Sequence, residues 1–163
     1  MRFKTVLTIC AAVAMLAACS SEPEANKAAT GTGTTAPMTT GQQITPGSQQ
    51  DLVANVGDRI FFDFDKSNLR PDARAQVEKW AAWLKKYPQN TVTIAGNCDE
   101  RGTREYNLAL GERRAAAAKK YLIALGIDAK RIGTISYGKE RPSVVGSNEA
   151  AWAQNRNDIM TVN

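Results

Sequence analysis

Charged side chains crowd one short stretch of the chain, residues 93–115, which reads TIAGNCDERGTREYNLALGERRA. Asp99 follows an apolar strand pattern and lies close to Gly102, where a turn can present backbone N–H groups to a ligand. Asn107 and Arg114 are seven residues apart, so they share one face of a helix. A carboxylate binds an ammonium group, and a guanidinium binds a carboxylate. The spacing therefore predicts a pocket for a zwitterion, with an exposed Asp–Arg ion pair between loop and helix as the alternative.

Two hydrolytic alternatives use the acids of the same region. Asp63 and Asp65 resemble the D-x-D pair of aspartyl-phosphate phosphohydrolases, in which one Asp attacks, the other protonates and Mg²⁺ lies between them. Asp99 and Glu100 with Asp65 would instead supply the carboxylate pair of a glycoside hydrolase. No large apolar residue adjoins Glu100 to raise its pKa, as an acid catalyst would need. An envelope glycan or phosphate hydrolase that uses Asp65, Asp99 or Glu100 remains the alternative to a binding site.

Composition excludes several classes of function. The chain contains no histidine, which removes Ser-His-Asp and Cys-His catalysis and the commonest zinc ligand. The formal charge is +5, or +3 without Arg2 and Lys4, and no basic run or stripe accompanies it. We therefore expect no nucleic-acid partner, no metal and no cofactor. The remaining arginines of the charged stretch are predicted to be solvated: Arg101, Arg104 and Arg113.

The N-terminus has the pattern of a bacterial lipoprotein signal peptide. Arg2 and Lys4 precede an apolar run over residues 6–18 that is too short to span a membrane comfortably. The run ends in LAAC, which resembles a lipobox, so we predict removal of residues 1–18 and lipidation of Cys19. Acylation at two or more positions anchors a protein stably in a membrane. Ser20 stands where an Asp resembles an inner-membrane retention signal, and this indicates the outer membrane.

A composition change separates a tether from a domain. Residues 19–50 are rich in Ala, Thr, Gly, Gln and Pro and have almost no large apolar residues, so we predict a lipidated cysteine on a disordered tether. Residues 51–163 have the pattern of one folded domain. Once Cys10 leaves with the signal and Cys19 carries lipid, Cys98 has no disulfide partner. It is predicted to be a buried packing residue.

Hydrophobic periodicity assigns the elements of this domain. Strands alternate with helices, which predicts an α/β (α+β) layered fold. We expect a mixed four-stranded sheet with helices mainly on one face, in βαβαβ(α)β order. The predicted strands cover 58–64, 91–95, 131–137 and 159–162; the predicted helices run from Pro71 to Tyr87, along an apolar stripe over 108–125, and from the cap Ser147 to about Asn155.

Two stretches of the charged region carry a specific resemblance. Residues 96–103, GNCDERGT, and 106–115, YNLALGERRA, closely resemble the OmpA-like peptidoglycan-binding domains and, among them, the peptidoglycan-associated lipoproteins of the Tol–Pal system. Residues 62–66 and 136–142, Asn155-Arg156, the lipobox and the polar tether support it. The resemblance implies an OmpA-like sandwich, a non-catalytic protein, and a link between outer membrane and cell wall that serves envelope integrity and cell division.

The resemblance also implies a ligand and partners. The ligand would be the peptide stem of peptidoglycan at its meso-diaminopimelate, with Asp99 and Arg114 as the family's binding pair. Phe64 and Asp65 would form another wall of the pocket. Gly102, Thr103 and Asn107 complete the predicted peptidoglycan-binding residues. The family also binds the periplasmic β-propeller protein TolB.

The sequence departs from the family pattern at three positions. The family commonly has Glu and His where this chain has Ala95 and Asn97. Its Asn-Arg-Arg near the C-terminus is replaced by Asn155-Arg156-Asn157. These changes bear on the strength of ligand binding and leave the predicted class of function in place.

Overall fold

The computed structural model describes residues 44–163. The predicted signal peptide, Cys19 and the predicted tether as far as residue 43 lie outside the described residues. The elements, in chain order, are α1 (Gln49–Asn55), β1 (Arg59–Phe61), α2 (Pro71–Lys86), β2 (Val92–Asn97), α3 (Arg104–Ala124), a short 3-10 helix (Ala129–Arg131), β3 (Ile132–Gly138), α4 (Glu149–Asn155) and β4 (Asn157–Val162).

The four strands form one mixed sheet in the order β1-β4-β2-β3. β4 lies antiparallel to both β1 and β2, whereas β2 and β3 are parallel, with Val92 opposite Ile132. A parallel pair needs a long crossover connection, and α3 supplies it. The mixed four-stranded sheet with intervening helices confirms the predicted fold class.

The hydrophobic core lies between one face of the sheet and the helices α1, α2 and α3. Helix α2 begins at Pro71, whose missing N–H costs nothing in the first turn, and is capped at Tyr87 before Pro88. The apolar stripe of α2 packs against the inward-facing residues of β2, Val92 and Ile94. The members of that stripe that sequence periodicity had placed in the core are all buried: Ala73, Val77, Trp80, Ala81 and Leu84.

Helix α1, like the short 3-10 helix before β3, has no counterpart in the predicted pattern. Its seven residues, QQDLVAN, carry too little periodicity to indicate a helix. Tertiary contacts hold it, because Leu52 is fully buried in the core and Trp83 Nε1 donates to Asp51 Oδ2 at 3.0 Å. Residues 49 and 50, which the composition assigned to the tether, therefore belong to a helix. No helix within residues 44–163 has both the length and the apolar character that crossing a bilayer requires.

Two element ends differ from prediction in ways that shape the site. The first strand was predicted to continue through residue 64, but β1 ends at Phe61 and the chain then turns, with Asp65 in the left-handed region at φ 58°. Asp tolerates that conformation better than most residues. Helix α4 is capped by Asn148, whose Oδ1 accepts from the N–H of Ala151 at 3.0 Å, and not by Ser147 as predicted.

Candidate functional site

A cavity of about 180 Å³ opens where the loop after β1, the loop after β2 and helix α3 meet. It brings together six of the seven residues that the sequence analysis assigned to the site. Thr103 is not part of its wall. The lining residues are Phe64, Asp65, Cys98, Asp99, Arg101, Gly102, Tyr106, Asn107, Leu110, Arg114 and Arg156.

Asp99 is a buried carboxylate at the end of β2, only 4% exposed. Oδ1 accepts from the backbone N–H and from Nε of Arg101, both at 3.1 Å. Oδ2 accepts from Arg101 Nη2 at 2.7 Å and from Arg156 Nη1 at 3.3 Å. Burial by itself raises the pKa of Asp99, but the hydrogen bonds and charge of Arg101 and the bond from Arg156 outweigh it and hold the pKa below its ordinary value. The carboxylate is therefore ionised at neutral pH.

Arg114 lies beneath the pocket with 1% of its surface exposed. Its N–H groups donate to the carbonyl oxygens of Lys66 at 2.8 Å, Asn97 at 2.8 Å and Asp63 at 3.2 Å. A further Nη1 N–H points at Cys98 Sγ at 3.5 Å. Within the described chain, four of the five N–H groups of the guanidinium thus have acceptors, which leaves one on Nη2. A single free N–H does not allow Arg114 to bind a carboxylate through two hydrogen bonds in this geometry.

The pocket holds Asp99 and Arg114 together without an ion pair between them. The partner of Asp99 is Arg101, which the sequence analysis predicted to be solvated, and that prediction is wrong. Its guanidinium lies between the rings of Phe64 and Trp152, 4.1 Å from each centroid. The sequence signal that could have placed Arg101 beside Asp99 was the short turn after β2. In such a turn an Asp side chain commonly accepts a hydrogen bond from the backbone N–H two residues later.

Arg156 is the second functional residue that the site analysis of the sequence missed. It lies 57 residues from Asp99 in the chain, and only the sheet brings the two together. Its Nε donates to the Phe62 carbonyl at 3.2 Å and its Nη2 to Glu149 Oε1 at 2.7 Å. Local spacing does not predict a contact between Arg156 and Asp99. Arg156 does belong to the Asn155-Arg156 pair that supports the family resemblance. Arg156 supplies a fixed positive charge behind Asp99.

Phe64 and Asp65 line the outer wall of the cavity. Phe64 is 57% exposed, and Tyr106 donates its hydroxyl hydrogen to Asp65 Oδ1. Asp63 points elsewhere, to an exposed ion pair with Arg70 at 3.2 Å. Asp63 and Asp65 therefore do not share a site, which removes the D-x-D arrangement of a phosphohydrolase.

The remaining predicted residues fix the loop that carries Asp99. Gly102 has φ 88°, a backbone conformation that favours glycine. Thr103 caps α3 by accepting from the N–H of Tyr106 at 3.2 Å. Asn107 Nδ2 donates to the carbonyl oxygens of Arg101 at 2.8 Å and Thr103 at 3.0 Å. These three residues hold the Asp99 loop in place, and Gly102 and Asn107 also line the cavity.

Two of the departures from the family pattern are in contact with each other. Asn97 Nδ2 donates to Asn157 Oδ1 at 3.1 Å, across the pair of central strands β2 and β4. Asn157 in turn donates to the carbonyl of Gln154 at 2.6 Å and to Ser143 Oγ at 2.9 Å. Neither asparagine lines the cavity, and the third departure, Ala95, does not line it either. None of the three departures therefore contributes a side chain to the wall of the pocket.

Neither Asp99 nor Glu100 has the raised pKa of a general acid. Glu100 accepts from Trp152 Nε1 at 2.9 Å, and hydrogen bonds from Trp152 and Ser147 lower its pKa. Asp99 is likewise held ionised, so neither acid can serve as a general acid at neutral pH. Burial raises the pKa of Cys98 to about 11, which makes the thiol the inert packing residue that the sequence predicted. Residues 44–163 contain no cluster of three or more acids and cysteines that could hold a metal ion.

Comparisons with known proteins identify the family of the chain. The sequence profile of the OmpA family matches residues 61–156. The peptidoglycan-associated lipoprotein of Rhizobium meliloti is 51% identical over 144 residues, which cover 88% of this chain and 79% of that protein. That of Brucella melitensis is 55% identical over 119 residues, 73% of this chain and 71% of the relative.

Solved structures show the same fold. The crystal structure of the peptidoglycan-associated lipoprotein from Burkholderia pseudomallei superposes with a TM-score of 0.63 at 42% identity, over 65% of this chain and 90% of that one. The C-terminal domain of Helicobacter pylori MotB, at 19% identity and a TM-score of 0.61, shares the fold alone over 65% of this chain and 84% of its own. The OmpA-like sandwich expected from the sequence is confirmed, and so is a non-enzymatic class of protein. The chain belongs to the OmpA family and, within it, to the peptidoglycan-associated lipoproteins.

Proposed function

We propose that this chain is an outer-membrane lipoprotein that binds the peptide stem of peptidoglycan at meso-diaminopimelate. It links the outer membrane to the cell wall as part of the Tol–Pal system and so supports envelope integrity and cell division. Cys19 carries the lipid, the tether spans the gap, and the domain faces the periplasm. TolB is the protein partner that the resemblance implies.

The observation that carries this proposal is the pairing of an ionised, buried Asp99 with the buried guanidinium of Arg114 in one small cavity. The free end of diaminopimelate is an ammonium and a carboxylate on one carbon. Asp99 is the acceptor for the ammonium, and the remaining Nη2 N–H of Arg114 is the donor for the carboxylate. Phe64, more than half exposed at the rim, covers the aliphatic chain of the ligand.

The names of the relatives support the same class of ligand. The proteins from Rhizobium meliloti and Brucella melitensis are named for association with peptidoglycan and as lipoproteins. An anchored domain needs a stable membrane attachment at one end and a wall-binding pocket at the other. The lipobox at Cys19 and the pocket at Asp99 supply these two attachments, 80 residues apart in the sequence.

Fractionation of the cell envelope tests both attachments in one experiment. Asp99→Asn keeps the shape of the side chain and removes the charge. We therefore expect the variant to remain in the membrane fraction but no longer to co-sediment with purified sacculi. The loss of one charge-assisted contact corresponds to at least about tenfold weaker binding. Cys19→Ser should do the opposite, leaving the membrane fraction while still co-sedimenting with sacculi.

Glu112→Gln on the exposed side of α3 is the matched control, because it also neutralises one carboxylate and lies outside the cavity. It should behave like the wild type in both fractions. Thermal unfolding of each variant establishes that the domain is folded. Full co-sedimentation of a folded Asp99→Asn protein with sacculi would contradict the assignment of the site.

A further inference from the structure

The carboxylate that should receive the ligand has no free acceptor site. An ionised carboxylate accepts about four hydrogen bonds. Asp99 already accepts four: two on Oδ1, from the backbone and Nε of Arg101, and two on Oδ2, from Arg101 Nη2 and Arg156 Nη1. Its side chain is 5% exposed, so a further cation cannot approach it from an open side. An ammonium can bind Asp99 only if one of the present donors leaves.

The two arginines differ in how firmly they are held. Arg156 is buried, and its other N–H groups donate to the Phe62 carbonyl and to Glu149. The side chain of Arg101 is 31% exposed and lies on the solvent side of Asp99. If its guanidinium leaves, Asp99 keeps the bond from the Arg101 backbone N–H and the bond from Arg156. Arg101 is therefore the donor that a ligand can replace.

The surroundings of Arg101 provide a place for the guanidinium to go. Nη1 is 3.8 Å from Oε2 of Glu149, whose side chain is 65% exposed. A short rotation away from Asp99 brings Arg101 closer to that carboxylate and into solvent. The contacts that hold it inward are a bidentate ion pair with Asp99, whose arginine side is 31% exposed to solvent, and the faces of Phe64 and Trp152.

We propose that Arg101 is an internal competitor for the ammonium group of the ligand: its guanidinium fills the acceptor sites of Asp99, and a cationic ligand gains that carboxylate by displacing it toward Glu149. The inference rests on the proposed function, since it concerns the same pocket. It makes Arg101 a specificity-determining residue. A ligand without an ammonium group cannot displace the guanidinium, so the pocket selects amino acids over plain dicarboxylates.

Titration calorimetry with meso-diaminopimelate and with pimelate, its analogue without amino groups, tests this inference on the wild-type chain and on Arg101→Met. Methionine keeps an apolar stem between the two rings and removes the charge. We expect Arg101→Met to bind diaminopimelate about three- to tenfold more tightly, because the competing cation is gone. Pimelate binding should not improve, since Asp99 is then an exposed negative charge.

Arg104→Met is the matched control. Like Arg101, Arg104 is an arginine near the start of α3 that forms an ion pair, in its case with Glu140 at 3.2 Å. Its side chain is 62% exposed and lies outside the cavity wall. It should leave both affinities unchanged. Equal or weaker binding of diaminopimelate by Arg101→Met, beside a wild type that binds, would overturn the inference and leave the proposed function standing. If neither protein binds diaminopimelate, both fall together.

Trp152 gives a second readout that a purely structural role would not affect. In the wild type, displacement of Arg101 removes a cation from its ring, so ligand should change the tryptophan fluorescence. Trp80 and Trp83 are buried in α2 and report on the core. The change should be absent in Arg101→Met. Binding without any fluorescence change in the wild type would show that Arg101 stays in place and would refute the displacement.

Discussion

Asp158 is the only buried side chain of residues 44–163 whose polar atoms lack a hydrogen-bond partner. It lies on the central strand β4, opposite Gly96 of β2 and Ile60 of β1, and is fully buried. Burial raises its pKa well above the ordinary value of 3.8, and the positive charge of Arg114 offsets part of this effect. Over a range of pH above 3.8, the folded protein therefore retains a proton that the unfolded chain gives up. Such a group lowers the stability of the fold as pH rises.

Asp158→Asn should stabilise the protein at neutral pH. Below pH 3.8 aspartic acid is protonated in both states, and the variant and the wild type should have similar free energies of unfolding. Above it only the unfolded wild type loses the proton, so the wild type loses up to about 1.4 kcal/mol per pH unit until the folded pKa is reached. Asparagine does not titrate. Urea unfolding at pH 4 to 8 should show a difference that grows with pH.

The difference between the two proteins isolates this residue, because the other acids titrate in both. The charged group that acts on Asp158 in the folded protein is Arg114. A difference that stays constant from pH 4 to 8 would mean that Asp158 is ionised in the folded protein. In that case it would be the counter-ion of Arg114.

At the scale of elements, helix α3 is held against the sheet by two glycines. A Cβ on Gly96 would lie 2.0 Å from the carbonyl oxygen of Gly111, and a Cβ on Gly111 would lie 2.3 Å from Ser136 Oγ. The backbones of α3 and β2 are thus in direct contact. Arg114 follows three residues after Gly111, which brings its guanidinium to the Asn97 carbonyl at the end of β2. The position of the pocket floor depends on this contact.

Gly111→Ala should therefore destabilise the protein although alanine is the better helix former. Helix propensity favours the change by about 1 kcal/mol, but the added methyl group has no room and should cost about 1–3 kcal/mol more than that gain. Ala116→Gly, on the exposed side of the same helix, measures the propensity term alone. Chemical denaturation of both variants compares the two. A Gly111→Ala protein more stable than the wild type would rule out the close contact.

Local patterns predicted the elements that carry their own signals. Pro71 and the Tyr87-Pro88 pair marked the ends of α2, and alternation marked β2 and β3. Helix α1 has no such signal, since its seven residues are held by Leu52 and Asp51 through contacts with distant elements. A local pattern predicts the element that contains it. It does not predict which distant residues that element contacts.

The site shows the same division. The convergence of Asp99 and Arg114 on one pocket follows from a loop and a helix face that are adjacent in the sequence. The hydrogen-bond partners of Asp99 and Arg114 do not follow from the sequence. Arg114 reaches the carbonyls of Asp63 and Lys66, about 50 residues earlier, and Asp99 meets Arg156 only through sheet pairing. The hydrogen-bond partners of Asp99 and Arg114 are therefore determined by tertiary contacts, which leave no periodic pattern in the sequence.

At the scale of the whole domain, the pocket joins segments that are far apart in the chain. Phe64 belongs to the loop after β1, Asp99 to the loop after β2, Arg114 to α3, and Arg156 to the start of β4. Unfolding separates these segments, so a ligand that needs all of them binds the folded state only. Ligand binding and folding are then linked, and stability rises with ligand concentration.

Meso-diaminopimelate should therefore raise the midpoint of thermal unfolding. At a ligand concentration 100 times Kd the linkage amounts to about 2.7 kcal/mol, which corresponds to a rise of roughly 10 °C for a domain of this size. Differential scanning calorimetry over a ligand series measures the rise, which should follow the logarithm of the concentration. At the same ligand concentration Asp99→Asn should show about half the rise or less, because a tenfold weaker Kd lowers the linkage to about 1.4 kcal/mol. Pimelate should produce no rise in the wild type, because it has no ammonium to pair with Asp99. An equal rise in Asp99→Asn would place the ligand at a different part of the domain, since the linkage depends only on where the ligand binds the folded chain.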